Sequence, residues 1–345
     1  MNLWIIVLYI ISGLIILFLI SSYIGRQLIK KWQKEFDEKA LLQCWGKFIT
    51  NSAGRRVEYY VYGSKDKNAP VIVNIHGSWL EALFEKWLYE NICEQLDVKW
   101  IAISLPWTWY TDMKIWRKVI DWVQEDLEPV LQKENVWDFY ITGHSQGTPH
   151  AMAAAYHCKD RCKGLWLNAP LLPSNMSNKI WVEKAIGWDS LPTTEKLQTP
   201  LMSWYFTMLS MFLSFPSLPV YYISKTTPKL SDDPELIERI KNSSKRSTIR
   251  WTIGNVWESA KDVCYEWWFD PSLIENKNIC IWHAKDDAQC PPAIGKWLAE
   301  NFSNKWATVN FKDESQWFGH FTYCRWEFLK PKNSMIHALT QSLKV

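Results

Sequence analysis

Glycine is scarce in this chain, with 13 residues in 345 against 24 tryptophans, whereas ordinary usage puts glycine near ~7% of residues. Other absences exclude whole classes. There is no phosphate-cradling P-loop, no dinucleotide-binding G-x-G-x-x-G run and no zinc-type cluster of cysteine and histidine, so neither cofactor nor metal is expected. Neither charge sign dominates: 39 basic and 36 acidic residues are interleaved and leave a formal net charge of +3, which gives no argument for nucleic acid. The cysteines Cys44, Cys93, Cys158, Cys162, Cys264, Cys280, Cys290 and Cys324 are scattered, with no CxxC pair, so no disulfide scaffold is implied and reduced thiols are expected. Internal repeats and low-complexity tracts are missing too.

The most informative positive feature is Gly143-His144-Ser145-Gln146-Gly147. A G-x-S-x-G run places a serine on a sharp strand-to-helix turn, with glycines two before and two after it relieving the crowding of the backbone. The flanks fit this context. Phe139 to Thr142 reads as a short buried strand, and His150 to His157 carries Met152, Ala153, Ala154 and Ala155, helix formers small enough to approach a sheet closely. Ser145 is the candidate nucleophile.

An activated serine needs a base, and the base needs an orienting carboxylate. Asn278 to His283 reads as a strand and is followed by the turn Ala284-Lys285-Asp286-Asp287-Ala288-Gln289-Cys290-Pro291, which supplies Asp287 as the acid and Asp286 as its neighbouring alternative. Ala307 to Phe311 reads as the last strand, and Gly319-His320-Phe321 falls in the loop after it, ahead of a C-terminal helix. His320 is the candidate base.

These motifs resemble the α/β-hydrolase superfamily, whose acid motif looks like G-x-x-D-x-x-V-P and whose base motif looks like G-H, with triad order Ser, Asp, His. The resemblance covers most of residues 55–345. Ala284 stands where that pattern has glycine and Cys290 where it has valine, while Asp287 and Pro291 keep their places. It implies an oxyanion hole built from the backbone N–H of Gln146, directly after the nucleophile, and that of Ser78 in His76-Gly77-Ser78, with His76 holding that loop. The serine argues against the branches of the superfamily that use an aspartate nucleophile.

Several tryptophans lie where similar hydrolases carry glycine: Trp79 in the oxyanion loop, Trp107 and Trp109 in Leu105 to Tyr110, and Trp317 before Phe318-Gly319-His320. Turns there call for φ > 0, which a bulky side chain resists. One expectation is that these codons are reassigned stop codons and that the natural residue is glycine. The other is a tryptophan-rich lineage with literal tryptophans and a crowded oxyanion loop.

Leu3 to Ile24 is an uncharged apolar run of 22 residues, about the ~20 that a transmembrane helix needs. It lacks a basic n-region and an A-x-A site, so an anchor is preferred over a cleaved signal. Arg26, Lys30, Lys31 and Lys34 all follow the span, which puts the catalytic domain on the cytoplasmic side. Residues 25–54 are expected to form a basic linker, partly helical, suited to anionic lipid.

The expected architecture is a mostly parallel α/β sheet with an early strand pair around 57–63 and strands near 71–75, 99–104, 138–142, 163–168, 278–283 and 306–311. The core comprises 55–172 and 273–345, and a helical cap occupies 173–272. Leu201 to Ile223 is apolar but interrupted by Pro216 and Pro219, so it reads as a buried helix rather than a second span. Trp204, Tyr205, Phe206, Met208, Met211 and Phe212 would either roof an acyl-binding pocket or pack the core of the cap. Taken with the resemblance, the expectation is a membrane-anchored serine hydrolase of a small hydrophobic carboxylic ester, with thioester, amide or peptide open as substrates. A catalytically inactive hydrolase fold serving as a membrane-tethered scaffold is the alternative from another class.

Overall fold

A computed structural model describes residues 3–114, 117–172, 233–250, 267–275, 278–287, 289–290, 292–302, 308–314 and 319–324. Eight strands form one sheet: β1 (Lys47–Thr50), β2 (Arg56–Gly63), β3 (Val71–Ile75), β4 (Lys99–Ile103), β5 (Phe139–His144), β6 (Cys162–Asn168), β7 (Asn278–Ala284) and β8 (Thr308–Glu314). Their order across the sheet is β1-β2-β4-β3-β5-β6-β7-β8. β1 and β2 pair antiparallel, as do β2 and β4, and every later pairing is parallel.

The strands are legible because their side chains are buried on both faces. Ile72, Val73 and Ile75 of β3, Trp100 to Ile103 of β4, and Leu165 to Leu167 of β6 are all buried, as expected of parallel strands covered by helices on each side. One face packs α5 (Gly147–His157), whose Ala151 to Ala155 are fully buried against the central strands. The other packs α3 (Ala82–Gln95) through Phe84, Leu88, Tyr89 and Ile92.

The order reverses between β3 and β5: the chain runs outward to β4 on one side and to β6, β7 and β8 on the other. Open parallel sheets leave a crevice at such a switch point, just beyond the strand C-termini. The loops after β3 and β5 both open into it, and they carry Ser78 and Ser145.

α1 (Leu3–Glu35) is a single helix of 33 residues. Its first two-thirds expose an apolar surface, and the helix is long and apolar enough to cross a membrane. Beyond the apolar run it continues rather than loosening into a linker. Trp32 is buried, Leu28, Ile29 and Phe36 pack beside it, and Gln33 Nε2 donates to Ile249 O at 2.7 Å. The short α2 (Glu38–Gln43) and strand β1 complete residues 25–54, so most of this segment belongs to the folded body. The apolar spacing of Leu28, Trp32 and Phe36 at i, i+4 and i+8 is the reason, since it gives the basic stretch one face that must be covered.

Of the expected cap, α6 (Pro234–Thr248) is described. It packs Leu236 and Ile240 into the same cluster as α3 and Trp32, while Arg246 forms an ion pair with Glu81 at 2.6 Å. The Leu201–Ile223 stretch, with Trp204 to Phe212, lies outside the described residues. So do Trp317, Cys264 and the expected C-terminal helix. The last strand runs over Thr308–Glu314, a little later than the 306–311 read from sequence. α4 (Glu128–Lys133) and α7 (Pro292–Asn301) complete the described α-helices.

Candidate active site

The elbow is built from steric necessity. Ser145 sits at φ +50°, in the left-handed region, between the end of β5 and the start of α5. A Cβ on Gly143 would fall 2.6 Å from Gly147 O, and one on Gly147 would fall 2.3 Å from Ile75 O, so neither position accepts a larger residue without displacing backbone. The elbow is tied down by Ser145 N donating to Asn168 O at 3.0 Å and by Thr148 Oγ1 donating to Ser145 O at 2.6 Å. A strained φ at a non-glycine residue persists only where the surroundings over-determine it. Here they do.

The turn after β7 and the loop after β8 bring the candidate acid and the candidate base together. His320 Nδ1 lies 2.9 Å from Asp287 Oδ2. Asp287 Oδ1 in turn accepts the backbone N–H groups of Gln289 at 2.8 Å and Cys290 at 2.9 Å, which fixes the carboxylate within its own turn. The neighbouring Asp286 does a different job: its Oδ1 accepts Gly319 N at 3.1 Å, holding the loop that carries His320. Of the two aspartates left open by sequence, Asp287 is the one that meets the imidazole.

Electrostatics follow from this burial. Removal from water favours the neutral form of His320, but the Asp287 carboxylate, helped by Cys290, outweighs it and raises the imidazole pKa from 6.5 to about 10. Burial alone would raise the pKa of Asp287; charge and hydrogen bonds from His320 and His283 hold it well below the ordinary carboxylate value. With Nδ1 committed to Asp287, the remaining nitrogen of His320 is Nε2. Ser145 Oγ meets the Cys290 thiol, with Sγ at 3.8 Å. Catalytic hydrogen bonds often tighten only when substrate binds.

The oxyanion candidates are also adjacent. Ser78 Oγ donates to Gln146 Oε1 at 2.8 Å, joining the β3 loop to the elbow. His76 holds that loop as expected for a structural residue: its Nε2 accepts Leu105 N at 2.9 Å, and burial lowers its pKa to about 4, which keeps it neutral. A Cβ on Gly77 would fall 2.5 Å from His144 Nδ1, so glycine is required where the loop passes the elbow.

Three site residues escaped sequence reasoning. His144, buried and held neutral chiefly by burial, bonds through Nε2 to His320 O at 3.0 Å and packs its ring 4.6 Å from that of His320. His283 bonds through Nε2 to Cys290 O at 2.6 Å and lies 3.5 Å from Asp287 Oδ2. Arg246 reaches Glu81 at the start of α3, directly after the oxyanion loop. His144 is inside the motif and His283 ends the acid strand, so their places were visible; their partners, 176 residues away for His144, were not.

Three of the four tryptophans singled out by sequence adopt left-handed backbone: Trp79 at φ +65°, Trp107 at +67° and Trp109 at +41°. The structure adds Trp45 at +64° and Trp268 at +66°. Among the described residues, five tryptophans but only three glycines have positive φ. No candidate metal-binding group of three or more His, Cys, Asp or Glu occurs among the described residues.

No protein-family model matches the chain, and no curated protein matches it. Solved structures do match. A thermophilic esterase from Thermogutta terrifontis is 15% identical, with a TM-score of 0.58 over 87% of this chain and 96% of its own. An esterase from Exiguobacterium antarcticum is 17% identical, with a TM-score of 0.59 over 87% of this chain and 100% of its own. An enol-lactonase from Burkholderia xenovorans is 12% identical, with a TM-score of 0.56 over 86% of this chain and 98% of its own. The strand order, the elbow at the switch point and these likenesses define the architecture: this chain has the α/β-hydrolase fold.

Proposed function

We propose that this protein is a membrane-anchored serine hydrolase that cleaves a carboxylic ester through an acyl-enzyme. The observation that carries the reading is the strained Ser145 beside the Asp287–His320 pair, to which it is linked by Cys290 Sγ at 3.8 Å from Ser145 Oγ and by His144, its neighbour, at 3.0 Å from His320 O. His320 Nε2 takes the proton as Ser145 Oγ attacks the ester carbonyl, and the N–H groups of Gln146 and Ser78 stabilise the oxyanion. Collapse of the tetrahedral intermediate expels the alcohol, which leaves with that proton. Water, deprotonated by the same imidazole, then releases the acid and restores the serine.

α1 supports a single-pass anchor, and the basic residues after its apolar run support a cytoplasmic catalytic domain. The esterase and lactonase neighbours favour a small-molecule substrate with an acyl carbon. Thioesters and amides use the same machinery.

A second reading is favoured by one observation, the strained Trp79 in the oxyanion loop: a hydrolase fold without turnover, kept as a membrane-tethered scaffold. Labelling of purified protein with a fluorophosphonate separates the two. Wild type reacting, with reaction abolished in Ser145→Ala and reduced in His320→Ala, supports the hydrolase. A folded wild type that does not react supports the scaffold.

A further inference from the structure

The thiol of Cys290 lies inside the cluster that the proposed mechanism uses, yet the mechanism gives it no role. Its Sγ is 3.8 Å from Ser145 Oγ, and it interacts with His320 on the other side. Its backbone is fixed at both ends, by N donating to Asp287 Oδ1 at 2.9 Å and O accepting from His283 at 2.6 Å. The side chain is therefore held between nucleophile and base. The other described cysteines have no such setting: Cys158, for example, donates to the Glu128 carboxylate at 3.4 Å, and Cys93 and Cys324 are buried among apolar residues in the cluster around α3.

We propose that Cys290 is an oxidisable thiol of the active site, which a peroxide converts to a sulfenic acid, and that this modification disables Ser145. The inference rests on the reading of Ser145 and His320 as nucleophile and base. A base placed to deprotonate a serine hydroxyl is able to deprotonate a thiol in the same position, because the thiol is far the stronger acid. His320 Nε2 takes the proton from Cys290, and a sulfur lone pair attacks one oxygen of hydrogen peroxide. The O–O bond breaks, and the departing hydroxide takes the proton from His320 and leaves as water. Sulfur is oxidised by two electrons and the peroxide is reduced by two.

The new S–OH group enlarges the side chain in the gap between Ser145 and His320 and occupies the imidazole's free nitrogen. A dithiol reverses the step, taking the oxygen away as water while being oxidised to its own disulfide. Burial pushes the Cys290 thiol up and His320 only partly pulls it back, so the resting group is a thiol and not a standing thiolate. Oxidation thus depends on His320 and should follow the same pH limb as labelling of Ser145.

The test treats the full-length protein with hydrogen peroxide, then follows two signals: the rate of fluorophosphonate labelling, and a dimedone adduct located by mass spectrometry. Wild type should lose labelling by at least roughly tenfold, equivalent to ~1.4 kcal/mol in barrier, regain it with dithiothreitol and carry dimedone on Cys290. Cys290→Val, or Cys290→Ala where the valine variant does not fold, should keep its own untreated rate after peroxide. Equal losses in wild type and variant, or no dimedone on Cys290, overturn the proposal. If untreated wild type does not label, the hydrolase reading fails instead; the dimedone adduct and its loss in His320→Ala still decide the chemistry of the thiol.

Discussion

Asp287 Oδ2 lies 2.9 Å from His320 Nδ1, while Oδ1 of the adjacent Asp286 accepts the backbone N–H of Gly319 at 3.1 Å. The two aspartates are therefore separable by experiment. Asp287→Asn removes the charge that orients and stabilises the imidazolium and should lower turnover by about 10⁴-fold, the scale seen when a triad acid is neutralised. Asp286→Asn keeps an acceptor for Gly319 and should cost less than about tenfold, or ~1.4 kcal/mol. Rates of fluorophosphonate labelling for both variants check the assignment, and the reverse order would transfer the acid role to Asp286.

To act as the proposed base His320 must be neutral, and its pKa is raised from 6.5 to about 10. Activity should therefore climb as pH rises from neutrality toward 10, because deprotonation of His320 creates the reactive form. In Asp287→Asn the opposing charge is gone and burial acts unopposed, so the remaining activity should reach its plateau at lower pH. A profile of labelling rate against pH for both proteins measures this, and a wild-type plateau already reached near pH 6.5 would refute it.

Stability should run the other way. Glu58 and Glu85 are fully buried, and burial raises each pKa from 4.5 to about 8, with Glu81 adding to the shift. A group with a raised folded pKa contributes stability that is complete below its unfolded pKa and is lost as pH rises through the folded one. Between pH 4.5 and 8 each carboxyl should reduce stability by about 1.4 kcal/mol per pH unit. Glu58→Gln keeps a carbonyl oxygen to accept Tyr110 N and turns an amide N–H toward Ser104 Oγ, but has no proton to lose, so its unfolding midpoint should fall less steeply with pH than that of wild type.

Much of this layout was legible in sequence because it depends on local rules. Seven strands announce themselves as short apolar runs, and the elbow is marked by glycines that the turn cannot do without. The early strand pair is real but its first member lies before 57–63, at Lys47-Phe48-Ile49-Thr50, which is only four residues long and follows a basic helix; its pairing with β2 is what makes it a strand. The continuation of α1 onto α6 was missed for a related reason. Gln33 finds its partner, Ile249 O, 216 residues along the chain, and Trp32 joins a cluster that includes Leu236 and Ile240 of α6; nothing local identifies either. The Asp286/Asp287 ambiguity was likewise beyond local rules, since both are turn residues and only the placement of His320 distinguishes them.

The tryptophans with positive φ yield the sharpest test of the chain itself. Trp45 follows α2 at the position where helices commonly end in a left-handed glycine, and its side chain is 77% exposed. Trp45→Gly thus relieves an unfavourable φ of about 1–2 kcal/mol without emptying a core, and it should raise the unfolding midpoint. Trp268, 62% exposed, should behave alike apart from losing Lys118, whose Nζ lies 3.9 Å from the ring centroid. Trp109 differs: it is buried, its Nε1 donates to Phe36 O at 3.1 Å, and Arg246 lies over its ring. There glycine removes strain but leaves a cavity, a change that costs about 3–5 kcal/mol for a large aromatic. Trp79→Gly, in the oxyanion loop, should both stabilise the protein and speed reaction at Ser145. If the codons are read as glycine in the source organism, mass spectrometry of the natural protein will show glycine at 45, 79, 107, 109 and 268; tryptophan at these positions would mean that the protein bears the strain.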